Sequence, residues 1–217
     1  ADIKPGGAAL YDLHSIDTTH ADDRLQETDV IVACDVNNPL TGPTGASVIF
    51  GPQKGASPDM VKELDIALAH FANVVEQDLG VDIRHRAGAG AAGGLGGGLT
   101  AFVNADMRAG VDIVLEAVGL GERLDGADLV ITGEGQFDRS TIFNKAPVGV
   151  ARLAKERGVP VIGIAGALAE GFSEVHDHGI DAVFTLVNGP TTLEKAIEST
   201  RALVASTTEE VLRAMLA

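Results

Sequence analysis

Three short apolar runs, DLVIT (Asp128–Thr132), VPVIGIA (Val159–Ala165) and AVFTLV (Ala182–Val187), constrain this chain most, because they alternate with helical spans. Pro147–Arg157 reads as one helix, a second runs on from Leu193 behind a Thr191/Glu194 capping box, and Thr207–Ala217 reads as a third. This order of strand and helix predicts a right-handed α/β layout with a parallel sheet. The composition agrees: 45% of residues are hydrophobic but only 4% aromatic, so Ala, Val, Ile and Leu must fill the core. Such residues suit parallel strands buried on both faces.

The earlier part is α/β as well. Asp29–Val36 (DVIVACDV) reads as a buried strand, followed by the turn-rich NNPLTGPTG. Ser57-Pro58-Asp59 supplies a cap, a first-turn proline and an acid at the positive end of a helix dipole. Met60, Leu64, Leu68, Phe71, Val75 and Leu79 then recur at helical spacing, so one stripe is buried. Thr100–Ala109 and Val111–Val118 read as further helices. A boundary near Leu124–Asp128 divides the chain into 1–124 and 125–217.

The formal charge of -15, from 31 acidic and 16 basic residues, argues against a nucleic-acid or anionic-membrane partner. A small anionic ligand then needs a local basic or amide-lined pocket. Cys34 is the only cysteine, so there is no internal disulfide and no cysteine-based metal cluster. No apolar run is long enough for a membrane span and no signal peptide is visible, which makes the cytoplasm the simplest compartment. The opening residues lack an initiator Met and read as the middle of a domain, so a piece of a longer chain is expected.

Seven glycines fall between Gly88 and Gly98, directly behind Arg84, His85 and Arg86. Three readings compete. Gly88, Gly90 and Gly93 fit a dinucleotide fingerprint, with Asp112 near the distance of a ribose carboxylate, but that motif requires a preceding hydrophobic strand. Small residues also permit tight helix packing. The preferred reading is an anion cradle, in which Gly88, Gly90, Gly93 and Gly94 bring backbone N–H groups close to a phosphate or carboxylate. Arg84 and Arg86 alternate, and guanidinium groups suit such anions.

Other candidates stand at strand ends and turns. Asp35, followed by Asn37, is placed to be a base or a magnesium ligand, or simply to tie a turn. Lys54 is a loop lysine or a point charge for phosphate. Thr132-Gly133-Glu134-Gly135 and Asp138 follow the DLVIT strand, where ligands bind in open α/β sheets. Glu134 and Asp138 suit Mg²⁺ or a ribose, and Lys145 suits a phosphate. Alternatively, these acids only favour the next helix start. Cys34 reads as a buried small hydrophobe, and His85 beside two arginines proves little. There is no P-loop and no G-x-S-x-G.

CDVNNPLTGPTGASVIFGPQKGASP, RAGAGAAGGLGGGL, LVITGEGQFDRSTIFNKAPVGVA and VPVIGIAGAL, in this order, resemble the bacterial glycerate kinase family of the first type. The third block departs from the family pattern at Gln136, Ser140 and Asn144, where Arg, Gln and Gly are usual. The resemblance implies a two-domain α/β fold: a Rossmann- or flavodoxin-like parallel sheet whose C-terminal half is 125–217, and a second α/β domain in 1–124. Family members carry a further N-terminal portion with a PDSFK-like motif. The implied activity is transfer of the γ-phosphate of ATP to a hydroxyl of D-glycerate, with Mg²⁺, in a cleft between the domains. The implied catalytic set is Asp35, Asp138 and Lys54. Arg84, Arg86, Asn37 and the glycines at 88, 90, 93 and 94 would hold substrate or phosphate. Thr132, Gly133, Glu134, Gly135 and Lys145 would hold the nucleotide, with Asp138 and Glu134 on the metal. A homodimer is an allowed assembly. A non-catalytic anion-binding piece of such an enzyme and an NAD-dependent enzyme are the alternatives.

Overall fold

The apolar run at Asp29–Val36 condenses into a three-residue strand, β1 (Ile31–Ala33). In the computed structural model, which describes residues 3–216, β1 belongs to the first of two compact units, Ala1–Ala109 and Gly110–Ala217. After β1 come the short helix α1 (Ala46–Phe50) and the long α2 (Pro58–Leu79). The Ser57 side chain accepts from the Met60 N–H at 3.3 Å, Pro58 opens α2, and Gly80 ends it in a left-handed conformation. Of the expected stripe, Leu68, Phe71 and Val75 are buried with Leu40, Ile83 and Ala89, whereas Met60 is exposed. Each of the buried Leu, Ile, Val and Phe side chains contributes about 1.5–3 kcal/mol of apolar burial.

The segment read as a helix over Thr100–Ala109 is corrected. A helix, α3 (Leu95–Val103), starts inside the glycine segment and stops at Asn104, whose φ of 48° is left-handed. Asp106–Arg108 then forms a strand, β2, parallel to β1. Hydrogen bonds from Asp106 N–H to the Val30 carbonyl and from Cys34 N–H to the Arg108 carbonyl extend the pairing. A partner seventy-odd positions away in sequence overrides local helix preference here.

The second unit opens with α4 (Gly110–Ala117) and α5 (Leu120–Arg123), so the division expected after residue 124 lies inside it. Gly149 explains the grouping: a Cβ there would meet Val111 Cγ2 at 2.6 Å, so α6 (Ala146–Lys155) lies flush on α4. The sheet is β3 (Val130–Phe137), β4 (Val161–Leu168) and β5 (Ala182–Thr185), all parallel, with β4 in the centre. Val161–Ala165 is buried throughout. Val161 and Ala165 join Phe137, Ala151 and Ala154 in one core, while Ile162 and Ile164 join Leu186 and Val211 in another. This alternation is that of a strand covered on both sides.

Three details differ from the sequence reading. β3 runs on through GEGQF, which reads as a turn after the strand, because it stays in register with β4 as far as Phe137↔Leu168. The cap of α7 (Leu193–Glu198) is Thr192 rather than Thr191, and α8 spans Thr200–Leu216. A 3-10 segment, Phe172–His178, joins β4 to β5. Among the described residues no helix is long and apolar enough to cross a membrane.

Candidate functional site

The C-terminal end of β3 gathers Glu134, Asp138 and Lys145. Glu134 is on the strand, Asp138 follows it directly, and Lys145 is the N-cap residue of α6. Lys145 Nζ lies 3.5 Å from Glu134 Oε2 and 3.9 Å from Asp138 Oδ1. Two carboxylates thus face one ammonium, leaving local negative charge. Asp138 caps the turn Arg139–Ile142: its Oδ1 accepts from the Ser140 N–H at 2.7 Å and from the Ser140 hydroxyl, and its Oδ2 accepts from Gln136 Nε2 at 3.1 Å. These bonds, the Ser140 hydroxyl first, then Gln136 and the Ser140 N–H, hold the Asp138 carboxyl below its ordinary range, with a smaller push from Lys145.

Among the described residues no group of three or more His, Cys, Asp or Glu side chains could hold a metal ion. Magnesium does not need one. It is commonly held by one or two carboxylates together with water and substrate phosphates. The Glu134–Asp138 pair, all oxygen and net anionic, fits that donor chemistry.

Thr132, Gly133, Glu134 and Gly135 line a cleft of about 790 Å³ with Leu193 and Ile197 from α7 and Thr200 and Val204 from α8. The helical wall was not legible in the sequence, since α7 and α8 reach β3 only through the fold. Thr141 was also missed. Its signal is the Asp138-x-x-Thr141 spacing, a reciprocal cap: the Thr141 hydroxyl accepts from the Asp138 N–H at 3.1 Å and donates to Glu134 Oε1. The departure at Asn144 has a plain reason too. Its φ is 54°, in the left-handed region, which Asn tolerates better than most side chains where glycine is usual.

In the first unit, the loop after β1 lies along the glycine segment. The Gly90 N–H donates to the Asn38 carbonyl at 3.0 Å, and the Leu40 N–H to that of Arg84 at 3.1 Å. Asp35, Asn37 and Gly88 therefore share the C-terminal end of β1; Asp35 and Asn37 are exposed and Gly88 is buried. Close packing accounts for several glycines. A Cβ on Gly90 would sit 2.3 Å from the Pro39 carbonyl oxygen, and one on Gly96 2.2 Å from that of Gly88. Gly94 packs against Leu68 and Leu40, whereas the space beside Gly93 is open. Gly93 and the exposed Lys54 line one hollow of about 340 Å³. Arg84 and Arg86 do not form a matched pair: Arg84 Nη2 donates to the Ala69 carbonyl at 2.9 Å and to Asn73 Oδ1 at 2.5 Å, both on α2, while Arg86 is exposed. The dinucleotide reading fails on context, since Gly88 follows a loop from Gly80 and no strand. A further hollow of about 650 Å³ around Asp29, Asn104 and Asp106 holds none of the expected site residues.

The chain is 50% identical over 210 residues to a glycerate kinase from Haemophilus influenzae, covering 97% of this chain and 56% of that protein. It is 52% identical over 198 residues to one from Bacillus subtilis, covering 91% and 52%, and 50% identical over 191 residues to a glycerate 2-kinase from Escherichia coli, covering 88% and 50%. The crystal structure of a putative glycerate kinase 2 from Salmonella typhimurium superposes with a TM-score of 0.80 at 46% identity, covering 99% of this chain and 56% of that one. The chain thus spans about half the length of the curated relatives it matches. The sequence pattern of the Glycerate kinase family matches residues 1–216, and with relatives this similar over nine-tenths of its length the chain belongs to that family.

Proposed function

We propose that the protein transfers the γ-phosphoryl group of ATP to a hydroxyl of D-glycerate. The observation that carries this reading is the Glu134–Asp138–Lys145 group at the carboxyl end of β3, within a chain about half identical to glycerate kinases. Phosphoryl transfer depends on positioning and charge neutralisation, and this group supplies both. Glu134 and Asp138 would hold Mg²⁺, which would supply positive charge to offset the phosphates. Lys145 screens the charge that develops on the phosphoryl oxygens. Thr132, Gly133 and Gly135 border the cleft in which the nucleotide lies, with Leu193 and Ile197 opposite.

On the first unit, Asp35 accepts the proton that the glycerate hydroxyl gives up. Arg86 and Asn37 bind the glycerate carboxylate, with Arg84 braced on α2 to hold the loop. Lys54 and the open backbone at Gly93 line one hollow of the first unit and suit a phosphate there. Gly88, Gly90 and Gly94 serve that loop by letting its backbone pack closely. The name of the Escherichia coli relative supports C2 as the acceptor position. The reading places the enzyme in the cytoplasm, with its ATP.

The test is an ADP-release assay on the full-length protein with ATP, D-glycerate and Mg²⁺, followed by phosphorus NMR of the product. Glycerate-dependent ADP release with 2-phosphoglycerate as product supports the reading; no glycerate-dependent ADP release would remove it. For the 217-residue chain alone, weak or no turnover is expected, and calorimetric binding of glycerate without turnover would mark it as a ligand-binding piece.

A further inference from the structure

We propose that Thr141 is the positioning residue of the acidic pair: one buried hydroxyl sets the direction of the Glu134 carboxylate and the placement of Asp138. The inference rests on the reading of Glu134 and Asp138 as the cation-holding end of a phosphoryl-transfer site.

Thr141 has no solvent exposure, although it sits in a four-residue turn at the mouth of the site. A hydroxyl has a single proton to donate and lone pairs to accept with. Here the proton goes to Glu134 Oε1, and a lone pair takes the Asp138 N–H at 3.1 Å. The same oxygen atom therefore grips the side chain of one acid and the backbone of the other. With Oε1 tied down, Oε2 is the Glu134 oxygen that faces Lys145 at 3.5 Å. The Asp138 carboxylate is held by Ser140 of the turn and by Gln136 of β3, while Thr141 holds the Asp138 backbone and the Glu134 carboxylate.

Valine keeps the branched shape of threonine but neither donates nor accepts. It would free the Glu134 carboxylate to rotate and take away the partner of the Asp138 N–H. Serine keeps the hydroxyl and loses only a methyl group. Removing a group that orients metal-binding carboxylates typically weakens metal binding or activity about 10- to 100-fold.

The experiment compares Thr141→Val and Thr141→Ser in the full-length protein. Mn²⁺ binding is followed by electron paramagnetic resonance without any substrate, kcat and KM by ADP release, and folding by calorimetry. Thr141→Ser is expected within about threefold of the parent in Mn²⁺ affinity and kcat, while Thr141→Val loses about 10- to 100-fold in both and keeps the KM for glycerate within about threefold. Parent-like Mn²⁺ affinity in Thr141→Val, equal losses in both variants, or no saturable Mn²⁺ binding by the parent would overturn the proposal. A parent that binds Mn²⁺ with this valine–serine split yet leaves glycerate untouched would keep the positioning role and remove the glycerate reaction.

Discussion

Lys145 Nζ stands 3.5 Å from Glu134 Oε2, so the ammonium nearest the proposed phosphate position is already held by a carboxylate. Lys145 also caps α6 with its backbone, which keeps the side chain at the carboxyl end of β3. Lys145→Met is therefore expected to lower kcat about 10²- to 10³-fold, the usual loss when one preorganised charge-stabilising group is removed. Lys145→Arg should recover only part of it, because a planar guanidinium cannot occupy the place of a compact ammonium. Steady-state kinetics on the full-length protein checks both.

Arg84 and Arg86 should separate by phenotype. Arg84→Ala loses the bonds to the Ala69 carbonyl and Asn73 Oδ1 and is expected to destabilise the first unit by about 1 kcal/mol, read from urea unfolding. Arg86→Ala should leave stability unchanged and raise the KM for glycerate by about tenfold or more, the loss of a charge-assisted contact to carboxylate.

Phe137 lies across Gly163. A Cβ added at Gly163 would stand 2.5 Å from Phe137 Cε2, and the ring is fully buried, with nowhere to retreat. Gly163→Ala should cost about 1–3 kcal/mol through overpacking, seen as a lower unfolding midpoint. An unchanged midpoint would show that this core is looser than its geometry.

Asn144 holds a φ of 54° one residue before Lys145. Asn144→Gly should be neutral to slightly stabilising. Asn144→Val should destabilise by about 1–2 kcal/mol, since a branched side chain crowds the following carbonyl in that conformation. It should also lower kcat, because the same turn presents Lys145. Calorimetry and kinetics on the two variants read the two effects.

Asp181 joins the sheet to α6. Its carboxylate accepts from Lys155 Nζ at 2.6 and 2.8 Å and from the Val161 N–H at 2.7 Å. Lys155 first, then the Val161 N–H, holds its pKa below the ordinary 3.8. The folded pKa is lower than the unfolded one, so this stabilisation is fully present above the unfolded value and is lost as pH falls through the folded value. The difference in urea midpoint between the parent and Asp181→Asn should be constant above about pH 5 and shrink below about pH 4. A difference that stays constant down to about pH 2 would remove the ionic account.

The sequence alone determined the parallel α/β plan of the second unit, the start of α2 at Ser57 and the candidate acids after DLVIT. These rest on local signals, namely caps, apolar spacing and turn residues, which neighbouring positions carry. Tertiary structure decided what depends on distant partners. Asp106–Arg108 became a strand because β1 lay beside it, and GEGQF stayed extended because β4 continued alongside. Glycine at 90 answers to the Pro39 carbonyl, and Arg84 turned to α2 while Arg86 did not. A short-range pattern can announce that residues such as Glu134 and Asp138 carry chemistry. Which oxygen faces Lys145 is set by the Thr141 hydroxyl, and only the folded turn after β3 brings that group onto Glu134.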